Sequence, residues 1–117
     1  VGTTIILNFP INNTQPALTV LVDDDALVRL NWKTRAKKAQ VNLKVFSNTQ
    51  ELIETLETLP KDTRFYLDLE IKNSSHSGLE LAKILKSKGF YDLHLASGHE
   101  QIESDLFLTQ RNKSCPF

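Results

Sequence analysis

Hydrophobic residues in this chain fall into short runs that alternate with stretches of helical periodicity. Leu18-Thr19-Val20-Leu21-Val22 is nearly unbroken apolar sequence, the pattern of a strand buried on both faces. From 26 to 39, Leu27, Leu30, Trp32, Ala36 and Ala39 recur at helical spacing, with Asp24 or Asp25 available as the N-cap. Val41, Leu43 and Val45 alternate with polar residues, which predicts a half-exposed strand at a sheet edge. Asn48 followed by Glu51 has the form of a capping box, and Leu52, Ile53, Leu56 and Leu59 continue a helix that Pro60 stops. Arg64-Phe65-Tyr66-Leu67 is a third strand. A polar loop through His76 leads to a helix from Gly78 to Lys86, closed by Lys88 and the C′ glycine Gly89. Leu93-His94-Leu95-Ala96 predicts a fourth strand, residues 100–105 a short helix, and Leu106-Phe107-Leu108-Thr109 a fifth strand. Strands alternating with helices imply an α/β fold with a parallel sheet and right-handed crossovers.

Ahead of this unit, residues 1–10 form a β-prone run ended by Pro10, and the polar residues after it form a linker. The length fits one domain. Fourteen basic residues balance fourteen acidic ones, so no long-range field argues for nucleic acid or an anionic membrane. Lys33, Arg35, Lys37 and Lys38 are the one basic cluster and suit a solvated helix face. A single cysteine, Cys115, excludes an internal disulfide and suits a reducing compartment. It has no histidine partner of nucleophile type, and His76, His94 and His99 lack metal-ligand spacing; they suit loop or surface positions. The absence of methionine suggests a piece of a longer or processed protein.

Candidate chemistry gathers where the strands end. The first strand discharges into Asp23, Asp24 and Asp25, the third into Asp68, the fourth into Ser97. In an open α/β sheet these ends share one crevice, so Asp23, Asp24, Asp68, Ser97 and Lys113 can meet there. Two unit charges about 4 Å apart repel by roughly 4 kcal/mol at an effective dielectric near 20, so clustered carboxylates imply a cation, a proton or a basic partner, with a cation first. Three carboxylates, a hydroxyl and an ammonium suit an octahedral Mg²⁺ and also an aspartate that accepts a phosphoryl group. Asp25 faces solvent or caps the helix.

Residues 18–117 resemble the receiver domain of two-component response regulators, most strongly in Val20-Leu-Val-Asp-Asp-Asp-Ala-Leu-Val-Arg29. The resemblance implies a flavodoxin-like three-layer sandwich with a five-stranded parallel sheet in the order 2-1-3-4-5. It makes Asp23 and Asp24 the Mg²⁺-binding pair, Asp68 the phosphoacceptor, Glu70 the donor of a backbone carbonyl to the metal, Ser97 the hydroxyl, Phe107 the switch aromatic and Lys113 the lysine. It also implies a phosphohistidine-bearing kinase or phosphotransfer domain as partner, no nucleic acid, no direct membrane contact and a cytoplasmic setting. Gly78 stands ten positions after Asp68, about two more than is usual in the family, and Lys113 stands three before Pro116 rather than next to it. Residues 98–112 are too few for a full fourth helix, and no fifth helix follows Phe117. The surface so uncovered is an expected contact, either with a second copy or with other domains of the parent chain.

Residues 1–10, with Gly2-Thr3 before a β-run to Pro10, resemble the last strand of a histidine-kinase ATP-binding domain. With 11–17 as linker and 18–117 as receiver, they suggest a hybrid sensor histidine kinase, whose chain could be membrane-anchored. Two other readings compete. One is a degenerate receiver that only docks another protein. The other takes Asp68-Leu69-Glu70 as similar to the Asp-x-Asp of haloacid-dehalogenase-type phosphohydrolases, which require a cap region for which there is no room.

Overall fold

A computed structural model describes residues 16–72, 74, 76–98 and 105–117. The expected strand over 1–10 and nearly all of its linker lie outside the described residues, as do His99 and residues 100–104 of the expected short helix. The elements run β1 (Thr19–Val22), α1 (Ala26–Ala39), β2 (Leu43–Phe46), α2 (Thr49–Thr55) with a 3-10 turn at Leu56–Thr58, β3 (Arg64–Leu67), α3 (Gly78–Ser87), β4 (Leu93–Ala96) and β5 (Thr109–Arg111). All four strand pairings are parallel, and the sheet order is β2-β1-β3-β4-β5. This is the expected doubly wound architecture, with three α-helices among the described residues. None is long and apolar enough to cross a membrane.

Both faces of the sheet are covered, which is why β1, β3 and β4 read as apolar runs. On one face Val20, Val22, Phe65, Leu67, Leu93 and Leu95 pack against Leu52 and Leu56 of the α2 region and Leu81, Ala82 and Leu85 of α3. On the other, Leu21, Tyr66 and Ala96 pack against Trp32 of α1 with Cys115 and Phe117 alongside. The edge strand β2 is half-exposed, in keeping with its alternating sequence.

Caps follow local chemistry. Asp25 accepts from Leu27 N at 2.9 Å to start α1, and Asn48 accepts from Glu51 N at 3.0 Å to start α2. The Glu51 carboxylate takes the Ser47 hydroxyl. The reciprocal capping box instead belongs to α3, where Ser77 and Glu80 satisfy each other's backbone N–H groups. Gly89 has φ +97° beyond the end of α3, the conformation that favours glycine there. Gly78 N–H bonds to Leu69 O at 2.9 Å, and a Cβ on Gly78 would lie 1.9 Å from the Asp68 carbonyl oxygen. α3 therefore starts in direct contact with the backbone that carries Asp68.

Three expectations need correction. The buried face of α1 is Val28, Trp32 and Ala36, spaced four apart, while Leu27 and Leu30 are 75% and 59% exposed. One indole fills the volume that several leucines would otherwise have to fill. The fifth strand begins at Thr109 rather than at Leu106, because Leu106 and Phe107 turn into the α2/α3-side core. The backbone joins the ladder only at Leu108, whose N–H donates to Leu93 O at 2.7 Å. An edge strand with one bonded side can be polar, so Thr109-Gln110-Arg111 serves. Finally, His94 is neither in a loop nor at the surface. It is buried in β4 between Asp92 and Thr109.

Candidate functional site

At the carboxyl end of β1 the chain must leave the sheet and enter α1 within a few residues, which turns Asp23 inward and Asp25 outward. Asp23 is fully buried; its Oδ1 accepts from Asp25 N at 2.9 Å, and its carbonyl accepts from Arg29 Nη1 at 2.8 Å. At the end of β3, Asp68 is buried to 3% exposure, with its N–H bonded to Val22 O at 3.1 Å. β1 and β3 are in register as neighbours, so the two acids are necessarily side by side. Asp24 is half-buried, and its Oδ2 takes the Lys72 N–H at 3.4 Å. One carboxylate oxygen from each of Asp23, Asp24 and Asp68 lies within 4.8 Å of the others.

Lys113 reaches this cluster from beyond β5. Its Nζ stands 3.0 Å from Asp68 Oδ2 and 3.2 Å from Asp23 Oδ2. The lysine displaced from the proline thus still arrives. Burial opposes its charge, but its hydrogen bond to Asp68 and the charges of Asp23 and Asp68 hold its pKa above the ordinary lysine value. Burial, with the charge of Asp68 adding to it, pushes the Asp23 pKa up; the Asp25 N–H and Lys113 only partly oppose this. Three carboxylates against one ammonium leave the cluster short of positive charge. Among the described residues, the buried Asp23 Oδ2 accepts no hydrogen bond despite the nearby ammonium. Asp24, Asp25, Asp68, Glu70, Lys72 and Lys113 line an open cavity of about 430 Å³. Such an all-oxygen donor set, with a buried oxygen that accepts no hydrogen bond and an open side, fits a hard divalent cation that keeps waters.

Ser97 is buried at the end of β4, its N–H bonded to Arg111 O at 3.0 Å. Phe107 does not lie on β5; it is buried in the core on the α2/α3 face, ahead of the strand. Glu70 is on the cavity wall with an exposed side chain. His76 lines a neighbouring cavity of about 370 Å³ with Glu70, Ile71, Lys72, Ser74, Ser77 and Glu80. Three contributors were not anticipated. Lys72 lines the acidic cavity, Arg29 holds the Asp23 carbonyl, and Trp32 Nε1 donates to the Lys113 carbonyl at 3.0 Å. All three act through or upon backbone, which leaves no periodic trace; only the basic residue one turn into α1 could have drawn attention to Arg29.

No protein-family model and no curated protein matches this sequence. Solved structures do match. The response regulator TrrA from Thermotoga maritima, in complex with Mg²⁺-BeF, aligns with a TM-score of 0.70 at 22% identity over 83% of this chain and 86% of that one. The chain has the fold of a response-regulator receiver domain. A CheY-like receiver domain from Methylobacillus flagellatus aligns with a TM-score of 0.69 at 18% identity, over 85% and 87% of the two chains. RcsB from Salmonella enterica serovar Typhimurium, bound to the promoter rprA in the presence of BeF3⁻, gives 0.70 at 18% over 87% of this chain and 63% of its own. On the receiver fold the crevice off the carboxyl ends of the strands is the ligand position, and in this chain that crevice is the acidic cavity.

Proposed function

We propose that residues 18–117 are a phosphoacceptor receiver domain of a two-component phosphorelay, with Asp68 as the acceptor. The reading rests on one observation: Asp23, Asp24, Asp68 and the Lys113 ammonium converge at the open end of the sheet, three carboxylates against one ammonium. An Asp68 carboxylate oxygen attacks the phosphorus of a phosphohistidine. The P–N bond breaks, its electron pair returns to the imidazole nitrogen, that nitrogen takes a proton from water, and Asp68 becomes an acyl phosphate. Positioning and charge neutralisation carry such a transfer more than a base does. Lys113 pairs with one phosphoryl oxygen, and the Ser97 hydroxyl hydrogen-bonds another. The carboxylates of Asp23, Asp24 and Asp68 and the backbone carbonyl of Glu70 would hold Mg²⁺, which would supply positive charge to the transferring group. About −1.5 to −2 added charges then bias the surface around Ser97 and the Phe107 segment.

Incubation with acetyl phosphate and Mg²⁺ tests the acceptor. Intact-mass measurement should show one acid-labile phosphoryl group on the wild type and none on Asp68→Asn. Equal labelling of both would reject Asp68, and no labelling of either would leave the phosphorylation-independent docking role.

We further assign residues 11–17 to a linker and 1–10 to the closing strand of a kinase ATP-binding domain, on the strength of the Gly2-Thr3 to Pro10 run. In this arrangement the chain is the receiver of a hybrid sensor histidine kinase working on the cytoplasmic side, with a phosphohistidine domain as donor. A phosphorylatable-histidine helix and an ATP lid encoded upstream would support this; a different domain there would reject it. The surface beside β5 contacts a second copy or the parent chain. A concentration-independent monomer in sedimentation would remove the first of these.

A further inference from the structure

Lys113 has a flexible four-carbon stem, and its ammonium can sit between two carboxylates only if its backbone is fixed. β5 ends at Arg111, so no ladder bond fixes it. The backbone is held by side chains instead. Asn112 Oδ1 accepts from Ser114 N at 3.0 Å and from Ser114 Oγ at 2.5 Å, and Arg111 Nη2 donates to Ser114 O at 3.0 Å. These bonds shape the turn but tie it only to itself. Arg111 O, one residue before the turn, accepts from Ser97 N at 3.0 Å, and at Lys113 itself the bond that ties the backbone to the body of the domain is the one from Trp32 Nε1 to Lys113 O.

Trp32 is well suited to that task. It is fully buried, its ring meets Tyr66 of β3 edge-on at 5.1 Å, and Phe117 closes on it edge-on at 5.7 Å. Its N–H is a donor only, so in this dry setting it has one productive orientation. Arg29 stands three residues earlier on the same helix, on a neighbouring part of its face, and bonds the carbonyl of Asp23. One rigid helix therefore grips the acid on one wall of the crevice and the lysine on the other.

We propose that Trp32 is a positioning residue for Lys113: through the Lys113 carbonyl, α1 sets how far the ammonium reaches toward Asp68. Its effect on rate rests on the proposed phosphoacceptor role, whereas its effect on the lysine does not. Small misplacements of a charge-stabilising group cost rate heavily, so Trp32→Phe, which keeps an aromatic ring and removes the N–H, should slow acetyl-phosphate labelling of Asp68 roughly tenfold. Lys113→Ala should slow it at least as much. The double variant should be no slower than Lys113→Ala alone, because both changes remove one device. A purely structural tryptophan would instead give multiplied effects.

A second readout is independent of labelling. Trp32 is the only tryptophan, so one indole N–H resonance reports on this bond. It should be protected from solvent exchange, and Mg²⁺ with beryllofluoride should move it in the wild type more than in Lys113→Ala. After reductive methylation, the Lys113 methyl carbon signal should shift toward that of a free lysine in Trp32→Phe. Wild-type labelling of Trp32→Phe, multiplied effects in the double variant, a freely exchanging indole or an unmoved lysine signal would each overturn the proposal. Should the wild type take no phosphoryl group, the acceptor role fails alone, and the indole and lysine signals still decide the positioning. Should Trp32→Phe not fold, the wild-type indole decides it.

Discussion

A single buried acid and a cluster of three acids sit at opposite ends of the same sheet, and they are treated in opposite ways. At the amino end of β4, Asp92 has a donor on each oxygen: Arg64 Nε at 3.0 Å on Oδ2 and His94 Nε2 at 2.6 Å on Oδ1. The other ring nitrogen of His94 meets the Thr109 hydroxyl at 2.6 Å, and Tyr66 stacks on the ring at 5.1 Å. At the carboxyl end, Asp23 and Asp68 share one ammonium with Asp24 beside them, and a buried oxygen of Asp23 goes without a hydrogen bond. Burying a charge is tolerable when it is paired and bonded, and costly otherwise. The lower group is complete as it stands and stitches β3, β4 and β5 together. The upper group is stable only because the rest of the fold holds it, and a bound cation would complete it.

The largest expected effect follows from that last point. Mg²⁺ at about a hundred times its dissociation constant should add about 2.7 kcal/mol, close to a 10 °C rise in Tm for a chain of this size, as read by thermal melts with and without chelator. Absence of a shift at millimolar Mg²⁺ would erase the distinction between the two ends. A somewhat smaller effect belongs to the lower group. Asp92→Asn strips the anion from Arg64 and His94 and should lower stability by about 2 kcal/mol in urea unfolding, while the Mg²⁺-induced rise stays as in the wild type. A lost Mg²⁺ response would mean the two ends are not independent.

The smallest change is also the most diagnostic in sign. Asp23→Asn should raise the stability of the metal-free chain at neutral pH and abolish the Mg²⁺ response. Because burial, with the charge of Asp68 adding to it, holds the Asp23 pKa above the ordinary carboxylate value, ionising Asp23 costs more in the folded chain than in the unfolded one. The cost of its charge is absent below pH 3.8 and appears as pH rises through the native pKa, so the variant's advantage should fade on acidification. An Asp23→Asn chain less stable than wild type at pH 7 would show that Lys113 already neutralises the cluster.

Four of the five strands and the three helices are legible in the pattern of apolar positions, since buried parallel strands and capped helices leave strong local signatures. Asp23, Asp24 and Asp68 are legible for the same reason: each ends an apolar run that the sheet aligns. Legibility fails where the determinant is not local. Leu27 and Leu30 fit the helical period of α1 as well as Val28 does, and only the bulk of Trp32 decides which stripe is buried. β5 is an edge strand, so its polar sequence resembles a loop, and the apolar run before it belongs to the core. His94 looks like a stray polar residue until Asp92, Arg64 and Thr109 are brought around it. The bond from Trp32 to the Lys113 backbone spans the length of the domain and has no motif at all.

The contact between Gly78 and the Asp68 carbonyl also separates two things that usually vary together. With Gly78 N–H fastened to Leu69 O, the excursion from Glu70 to Ser77 leaves and returns at the same spot. A change in its length then costs little, since doubling a loop costs only about 0.6 kcal/mol, and need not re-aim Asp68. Position 78 has no such freedom: a single methyl group there would displace the backbone of Asp68 itself.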